Sequence, residues 1–352
     1  MKSGKMGHLF PVIDNKKCID CGLCKKNCPS INPIYLSAPQ NAFAAWSKDE
    51  SDYRSSTSGG TSSVLSQYII NLGGVVYGCS VLPRARIEHI RIERKEELYK
   101  IKGSKYVQSS IIGVLSLIKQ DVKDGRKVLF LGTPCQVSAV RNLFNETPEN
   151  LFLVDLVCHG TPSQKSLKDY LKRHVPLQKI DDLRFRSEEG YVIKVISGKK
   201  IIYESPELRK HRCKDDYYNS FMEGFTIRDS CHNCRYASSN RCSDITIGDF
   251  WGLGKEVSCQ DIPKHKFGIS LVLPITNKGQ NLFNEVSNSM YVFERPLSEA
   301  INGNDQLQHP KEISKKAKIY RFFQPLLGDK RAFDVVMIFI KLNSLTRKII
   351  KI

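Results

Sequence analysis

The chain has 352 residues, 41% of them hydrophobic, and a formal net charge of +18 from 54 lysines and arginines against 36 aspartates and glutamates. This length and hydrophobic content predict a globular protein with room for two compact domains and small appendages. No run of about 18 or more apolar residues occurs, so a transmembrane helix is excluded.

The cysteine content indicates the cellular compartment. Twelve cysteines would suggest a disulfide framework only in a small secreted scaffold. The first residues, Met-Lys-Ser-Gly-Lys-Met-Gly, lead into no apolar signal-peptide segment. We therefore expect a cytoplasmic protein whose cysteines bind metal clusters.

The positive charge is spread along the chain without a long basic run. Helix-turn-helix, zinc-finger and RNA-recognition signatures are not evident, so nucleic acid is not an expected partner. An ordinary solvated surface would account for the charge. We favour a docking face for an acidic electron carrier such as a ferredoxin or a flavodoxin.

The first forty residues contain Cys18, Cys21, Cys24 and Cys28, followed directly by Pro29. The spacing Cys-x2-Cys-x2-Cys-x3-Cys-Pro is the bacterial-ferredoxin signature of an iron–sulfur cluster. A zinc site normally takes two cysteine pairs separated by a longer loop. The sequence therefore predicts a [4Fe-4S] segment and a protein that moves electrons.

The fourth cysteine of this run leaves a question open. In two-cluster ferredoxins the fourth cysteine ligates the other cluster, and the second run reciprocates. Only one run is present here. Either Cys28 closes a single cluster, or a partner run is missing upstream.

A small-residue turn at 55–63 lies between a predicted strand at 41–48 and a predicted helix at 64–72. Hydroxyls and glycines before a helix N-terminus suit a bound anion, because backbone N–H groups and the helix dipole point at it. An ordinary serine-rich loop has the same composition. Neither a P-loop nor a Gly-x-Gly-x-x-Gly motif is present.

Two strand–turn–helix units follow, with apolar strands at 126–131 and 151–157. Such units predict a parallel α/β sheet whose ligands bind at the carboxyl ends of the strands. Both turns carry a cysteine, Cys135 and Cys158.

The predicted fold class is α/β, or α+β over the whole chain, with a small ferredoxin-like segment before a mixed α/β flavin-binding domain. The expected parts are a cluster segment at 1–40, an α/β domain at 41–178, a β-rich domain at 179–300 and a basic helical tail at 301–352. For this tail we expect a packed helix and at most peripheral membrane contact.

A second group of cysteines is centred on the pair Cys231-x2-Cys234, which needs two further thiolates. The sheet turns offer Cys135 and Cys158, which would give a second iron–sulfur site. The alternative is a zinc knuckle that adds Cys242 and either His232 or Cys213 to the pair. Cys79 and Cys259 are expected to be ordinary packed side chains.

Four motifs together resemble the coenzyme F420 hydrogenase/dehydrogenase beta-subunit family: Gly103-Ser-Lys-Tyr-Val-Gln-Ser109, Gly132-Thr-Pro-Cys-Gln136, Cys158-His-Gly-Thr-Pro-Ser163 and Ser243-Asp-Ile-Thr-Ile-Gly-Asp-Phe-Trp-Gly252. The resemblance spans about residues 10–270. It implies an iron–sulfur flavoprotein that binds FAD beside a [4Fe-4S] cluster and passes electrons between iron–sulfur carriers and a hydride-handling small molecule. That molecule is the deazaflavin coenzyme in archaeal relatives and a pigment in chlorophyll metabolism. Similar bacterial proteins are associated with surface-polysaccharide gene sets.

Carried over to this sequence, the resemblance implies two sets of ligand residues. The FAD phosphates would face Ser58, Gly59, Gly60 and Thr61, and the flavin would lie along Ser104, Lys105 and Tyr106. The inner cluster would be held by Cys135, Cys158, Cys231 and Cys234. Many relatives carry two ferredoxin runs, and this chain matches only the second.

The expected function is therefore an oxidoreductase. Clusters carry single electrons and hydride chemistry moves two, whereas a flavin handles either number. Two alternatives remain: a non-catalytic electron-relay subunit of a larger complex, and a zinc-stabilised nucleic-acid-binding protein.

Overall fold

The computed structural model describes residues 1–188, 190–208, 210, 214–264 and 266–349. Cys213 of the zinc alternative and residues 350–352 of the predicted tail lie outside this part of the chain. Within it, no helix combines the length and the apolar character needed to cross a lipid bilayer.

The N-terminal segment has little regular structure. Its elements are β1 (Lys2–Ser3), β2 (Leu9–Phe10) and the one-turn helix α1 (Leu23–Lys26). The backbone is left-handed at Asp20 and Gly22. The chain therefore curls tightly between Cys18 and Cys24, which glycine permits at little steric cost.

The next part alternates strands and helices. Its elements are β3 (Ala42–Ser47), α2 (Glu50–Arg54), α3 (Thr61–Asn71), β4 (Val75–Leu82), β5 (Arg86–Ile92), α4 (Leu115–Lys123), β6 (Val128–Gly132), α5 (Pro134–Arg141), β7 (Leu151–Leu156) and α6 (Gln164–Lys172). Short 3-10 helices lie at Lys95–Lys100, Ile112–Val114 and Leu177–Lys179.

The remaining elements are β8 (Asp182–Arg184), β9 (Lys194–Ser197), β10 (Lys200–Glu204), α7 (Asp216–Met222), β11 (Ile245–Asp249), β12 (Ser270–Pro274), α8 (Asn277–Ser287), β13 (Met290–Arg295), α9 (Leu297–Asn302) and α10 (Lys315–Ile349). Two more 3-10 helices lie at Asp229–Asn233 and Asp305–Leu307.

Eight strands form the central sheet, in the order β13-β3-β12-β11-β7-β6-β4-β5. The four neighbours β4, β6, β7 and β11 pair parallel, and the outer strands pair antiparallel. The predicted α/β class with parallel strand–turn–helix units is confirmed. Strands from both the 41–178 and the 179–300 ranges share this sheet, and the boundary between those ranges stays a prediction.

The parallel strands are apolar because helices cover both faces of the sheet. In β6, Leu129 packs in one hydrophobic cluster with residues of α3 and α8. Its neighbours Val128 and Phe130 point the other way and pack with residues of α4 and α5, as the two-residue period of a strand requires.

A second, antiparallel sheet has the strand order β10-β9-β8. It packs with α6 and α7 around an aromatic cluster that includes Tyr170, Phe185, Tyr191, Tyr217, Tyr218 and Phe221. This cluster adjoins the functional site described below.

The helix after the small-residue turn begins earlier than the sequence pattern predicts, at Thr61 instead of Val64. Gly60 adopts a left-handed backbone (φ +83°) and its carbonyl accepts the N–H groups of Ser63 and Val64. Thr61 and its two serine neighbours therefore form the first helical turn, although their composition is typical of a loop.

The C-terminal helix α10 is kinked at Gly328, three residues after Pro325. One face packs on the body of the protein through the buried residues Ala317, Tyr320, Ala332, Phe333 and Val336. The opposite face is exposed.

Candidate functional site

A cavity of about 1010 Å³ opens at the carboxyl ends of the parallel strands. Its wall includes Leu131 from the end of β6, Leu156 from the end of β7, and Ile247 and Asp249 from β11. Open α/β sheets bind ligands at this edge. The volume stands at the top of the usual range for ligand pockets, roughly 300–1,000 Å³.

The predicted phosphate turn lies at this cavity. Ser58, Gly60 and Thr61 line it, whereas Gly59 does not. Gly59 instead packs against the sheet, where an added Cβ would stand 2.1 Å from the carbonyl oxygen of Ala45. Its lack of a side chain brings the turn close to β3, so its role is to position the turn.

The N-terminus of α3 has an unsatisfied donor in the cavity wall. Thr61 is 1% exposed, and its Oγ1 has no hydrogen-bond partner among the described residues. The nearby Asp52 carboxylate accepts a hydrogen bond from Ser63 Oγ at 2.6 Å and pairs with Lys102. Lys102 thus offsets the charge of the Asp52 carboxylate beside this helix end, and the dipole of α3 favours an anion there.

The second predicted strip, Ser104 to Tyr106, lines the same cavity. The Ser104 N–H donates to Thr57 Oγ1 at 2.9 Å, which ties this strip to the small-residue turn. Lys105 donates from Nζ to the carbonyl oxygen of Lys102 at 2.8 Å. Burial lowers the pKa of Lys105 to about 8, because desolvation disfavours the charged form.

Tyr106 joins the strip to the aromatic cluster of the second sheet. Its ring centroid lies 5.4 Å from that of Phe221, and the Arg186 guanidinium stands 5.7 Å from the ring. The Tyr106 ring is therefore held in place by its neighbours.

Of the four predicted inner cysteines, Cys135, Cys231 and Cys234 lie near Cys158. Cys158 lines the cavity. Its pKa is raised first by burial and then by the neighbouring thiols of Cys231, Cys135 and Cys234. Burial, with the Cys135 and Cys234 thiols, likewise raises the pKa of Cys231 to about 11. The fold thus brings together residues that are up to 99 positions apart in the sequence.

Local structure orients these cysteines. Cys135 is the second residue of α5, which begins with Pro134 and a capping box between Thr133 and Gln136. Its Sγ lies 3.2 Å from Thr133 Oγ1. Among the described residues, no group of three or more His, Cys, Asp or Glu side chains has the arrangement that holds a metal ion.

The N-terminal cysteines lie outside the cavity. Cys18, Cys21 and Cys24 are exposed and Cys28 is half-buried. The segment that carries them is anchored beside the inner cysteines: its residues Ile34 and Leu36 pack in the hydrophobic cluster that also contacts Cys234. A hydrogen bond of 2.9 Å from Asn142 Nδ2 to the Asn32 carbonyl oxygen adds to this contact.

The other members of the zinc alternative have different partners. Cys242 is fully buried in the core, and its Sγ donates to the carbonyl oxygen of Pro134 at 3.4 Å. Nδ1 of His232 lies 2.7 Å from the carbonyl oxygen of Lys311. Cys242 therefore packs as a core residue.

Several polar groups of the cavity wall were not predicted from the sequence, among them Cys79, His89, Arg186 and, as a paired group, Asp249. Cys79 and His89 face each other across β4 and β5. Arg186 binds the Asp249 carboxylate through both terminal nitrogens, at 3.2 and 2.5 Å. Predicting the register of the β4–β5 hairpin would have placed His89 opposite Cys79. No sequence motif indicates that Arg186 lies at the cavity.

Known proteins share a sequence pattern and the fold with this chain. The family model for the C terminus of the beta chain of coenzyme F420 hydrogenase/dehydrogenase matches residues 125–300. A chain of the F420-reducing [NiFe] hydrogenase complex from Methanosarcina barkeri is similar in structure, with 19% sequence identity and a TM-score of 0.51. The similarity covers 87% of this chain and 93% of that chain, and at this identity it shows the fold alone. No curated protein matches this chain.

Proposed function

This chain belongs to the coenzyme F420 hydrogenase/dehydrogenase beta-subunit family of redox proteins, and on that premise we propose that it is an iron–sulfur flavoprotein oxidoreductase. The N-terminal cysteines would hold a cluster that accepts electrons from a ferredoxin-like carrier, and the inner cysteines and an FAD site would link it to a hydride-accepting small molecule. One observation carries the proposal: Thr61, Lys105 and Cys158 line the same cavity.

The residues present fit FAD. The diphosphate would lie at the N-terminus of α3, where Thr61 Oγ1 has no partner in the described part of the chain, and Gly60 would allow close approach of the backbone. The isoalloxazine would lie along Ser104, Lys105 and Tyr106. When bound, the flavin supplies the exchange between one-electron and two-electron chemistry.

The donor set also fits an inner iron–sulfur cluster. Cys135, Cys158, Cys231 and Cys234 supply four thiols, the ligands that such clusters require. Metal binding deprotonates cysteine thiols, which offsets the raised pKa of Cys158 and Cys231. Because Cys158 also lines the cavity, a cluster on these residues would stand next to the flavin.

The chain's own residues would prepare the site for transfer. Arg186, held by Asp249 and stacked on Tyr191 at 4.4 Å, fixes a positive charge in the wall of the cavity. The aromatic cluster around Tyr106 excludes water from one side of the cavity. These groups would orient an anionic cofactor and an acceptor with respect to each other.

Anaerobic purification tests this proposal. The protein should show the absorption bands of an oxidised flavin together with the broad brown absorption of iron–sulfur clusters, and should contain acid-labile sulfide. Cys231→Ala combined with Cys234→Ala should remove about half of the iron, because one of two clusters is lost. The control Cys259→Ala, a cysteine outside both ligand sets, should keep all of it.

Two results would contradict parts of the proposal. Unchanged iron in the double variant would refute the inner ligand set. Clusters without flavin would favour the second candidate, a non-catalytic relay subunit that needs a partner with the active site. That candidate is favoured by one observation: the similar chain from Methanosarcina barkeri is part of a hydrogenase complex.

A further inference from the structure

The exposed face of α10 combines large apolar side chains with basic ones. Before the kink, Lys315, Lys318, Phe322 and Leu326 follow one another at three- and four-residue spacing, which places them on one side of the helix. All four are exposed, Phe322 to 69% and Leu326 to 75%. Exposed apolar side chains of this size on consecutive turns mark an interaction surface.

The same character continues on the other side of the kink. Leu327 is exposed at the kink, and Ile338 and Phe339 are exposed further along α10. Lys330 and Arg331 lie between them and are exposed too.

The described part of α10 carries two acidic residues, Asp329 and Asp334. Asp329 is turned inward, where it accepts hydrogen bonds from Ser166 at 2.6 Å and Tyr320 at 2.8 Å. Asp334 is paired with Lys330 at 2.5 Å. The remaining lysines and Arg331 give the face a net positive charge, in a chain that carries +18 overall.

We propose that α10 binds the surface of a membrane rich in anionic phospholipids. An interfacial helix presents apolar side chains to the acyl boundary and Lys or Arg side chains to the headgroups, and this face supplies both. A protein partner fits less well, because lysine is depleted in the cores of protein interfaces, whereas Lys315 and Lys318 belong to this face. Lysine stems instead extend along an apolar surface towards the headgroup region.

The proposal predicts how far the cavity lies from the membrane surface. Phe333, Met337 and Ile340, on the packed side of α10, line the cavity. Attachment through the exposed side would therefore hold the cavity within one helix diameter, roughly 10 Å, of the lipid surface.

Vesicle co-sedimentation with the full-length protein tests the proposal. The protein should bind vesicles of phosphatidylglycerol and phosphatidylcholine in equal parts. Its affinity for vesicles of pure phosphatidylcholine should be lower by a factor of about ten at least. Binding should fall with added salt, because the screening length shortens from about 10 Å at 0.1 M to about 3 Å at 1 M.

Two double variants separate the apolar and the charged contributions. Phe322→Ser with Leu326→Ser, and Lys315→Glu with Lys318→Glu, should each weaken vesicle binding by about tenfold or more. Ile112→Ser with Leu117→Ser is the matched control, since both of these apolar side chains are exposed outside α10. It should bind like the wild type.

All of these positions are exposed, so the thermal unfolding of each variant should match that of the wild type. Equal binding to both vesicle types, or no binding to either, would overturn the proposal. So would a dimer or a stable complex with another protein that the serine variant abolishes, because the face would then be a protein interface. None of these readouts depends on a loaded flavin or cluster.

Discussion

Lys105 is a cation in the wall of the proposed flavin site. Its ammonium group donates to a backbone carbonyl, and no carboxylate hydrogen-bonds to it among the described residues. The pKa of Lys105 is lowered to about 8. Burial is the largest cause of this shift, and the neighbouring Cys79 thiol acts in the opposite direction. The side chain is therefore protonated below pH 8 and neutral above it.

Lys105→Met should lower the reduction potential of bound flavin. Loss of one nearby positive charge destabilises the more negative, reduced form by about 1.4 kcal/mol, which is about 30 mV for a two-electron couple. In the wild type the same loss should occur as the pH rises through about 8. Spectroelectrochemical titration across this pH range measures both effects.

Lys105→Arg provides the control, because a guanidinium stays protonated throughout this range. It should keep the wild-type reduction potential at neutral pH and lose the change in potential near pH 8.

The stability of the protein gives a second readout, which needs no bound cofactor. Since the unfolded chain binds more protons between pH 8 and 10.5, the free energy of unfolding should rise with pH in this window in the wild type relative to Lys105→Met. If neither substitution changed the reduction potential of the flavin, the flavin would have to bind away from Lys105.

At the scale of single elements, the first turn of α3 decides whether the cavity can hold a phosphate. Its left-handed start at Gly60 and its position beside the sheet depend on two adjacent glycines. The Thr61 hydroxyl in this turn is buried and has no partner in the described part of the chain.

Thr61→Val should therefore weaken FAD binding while leaving the apoprotein stable. Loss of one hydrogen bond costs about 1 kcal/mol, or about fivefold in affinity, whereas folding loses no bond from Thr61 Oγ1 to another described residue. Ser66→Ala, one turn further along α3 and outside the cavity wall, is the control. Its hydroxyl donates to the Ser62 carbonyl oxygen at 2.6 Å, and FAD affinity should not change. Isothermal titration with FAD and thermal unfolding give the two readouts, and equal affinities for all three proteins would exclude this helix end as the phosphate site.

For the whole molecule, the position of the N-terminal segment sets the order in which the proposed redox centres would be reached. Its three exposed cysteines, Cys18, Cys21 and Cys24, are accessible to a protein carrier. Ile34 and Leu36 hold the segment next to Cys234. A carrier would thus reach the outer cluster first.

Cys18→Ala should block reduction of the flavin by ferredoxin, while a small dye donor that can enter the cavity should still reduce it. Stopped-flow reduction with each donor measures the two rates. Cys259→Ala again serves as the control and should behave like the wild type with both donors. If Cys18→Ala slowed both donors equally, the N-terminal cluster would have a structural role instead of a relay role.

Local sequence patterns account for the elements that could be predicted before the structure was known. The parallel strands at β6 and β7 were predictable because apolar runs bounded by turns have one stable arrangement, a sheet covered on both faces. The ferredoxin spacing also lies within one loop, so the sequence alone predicts a cluster there, and that cluster stays a prediction. The start of α3 was misplaced, since a left-handed glycine allows serine and threonine to begin a helix.

Long-range contacts were beyond the sequence. Arg241 is almost fully buried and pairs with the buried Asp155 at 3.0 Å, and Arg186 reaches Asp249 across 63 positions. No local preference encodes such pairs, because their free energy comes from the low-dielectric interior that only the folded chain creates.

The sequence by itself determined the α/β class and the family, because periodicity, spacing and motif are local properties of the chain. The assignment of cysteines to iron stays a prediction. The tertiary structure alone decided that the serine-rich turn, the Ser104 to Tyr106 strip and Cys158 share one cavity. It also decided which face of α10 is exposed. These features depend on the order and the packing of strands that are distant in the sequence, and the buried area that selects this arrangement exists only after the chain has folded.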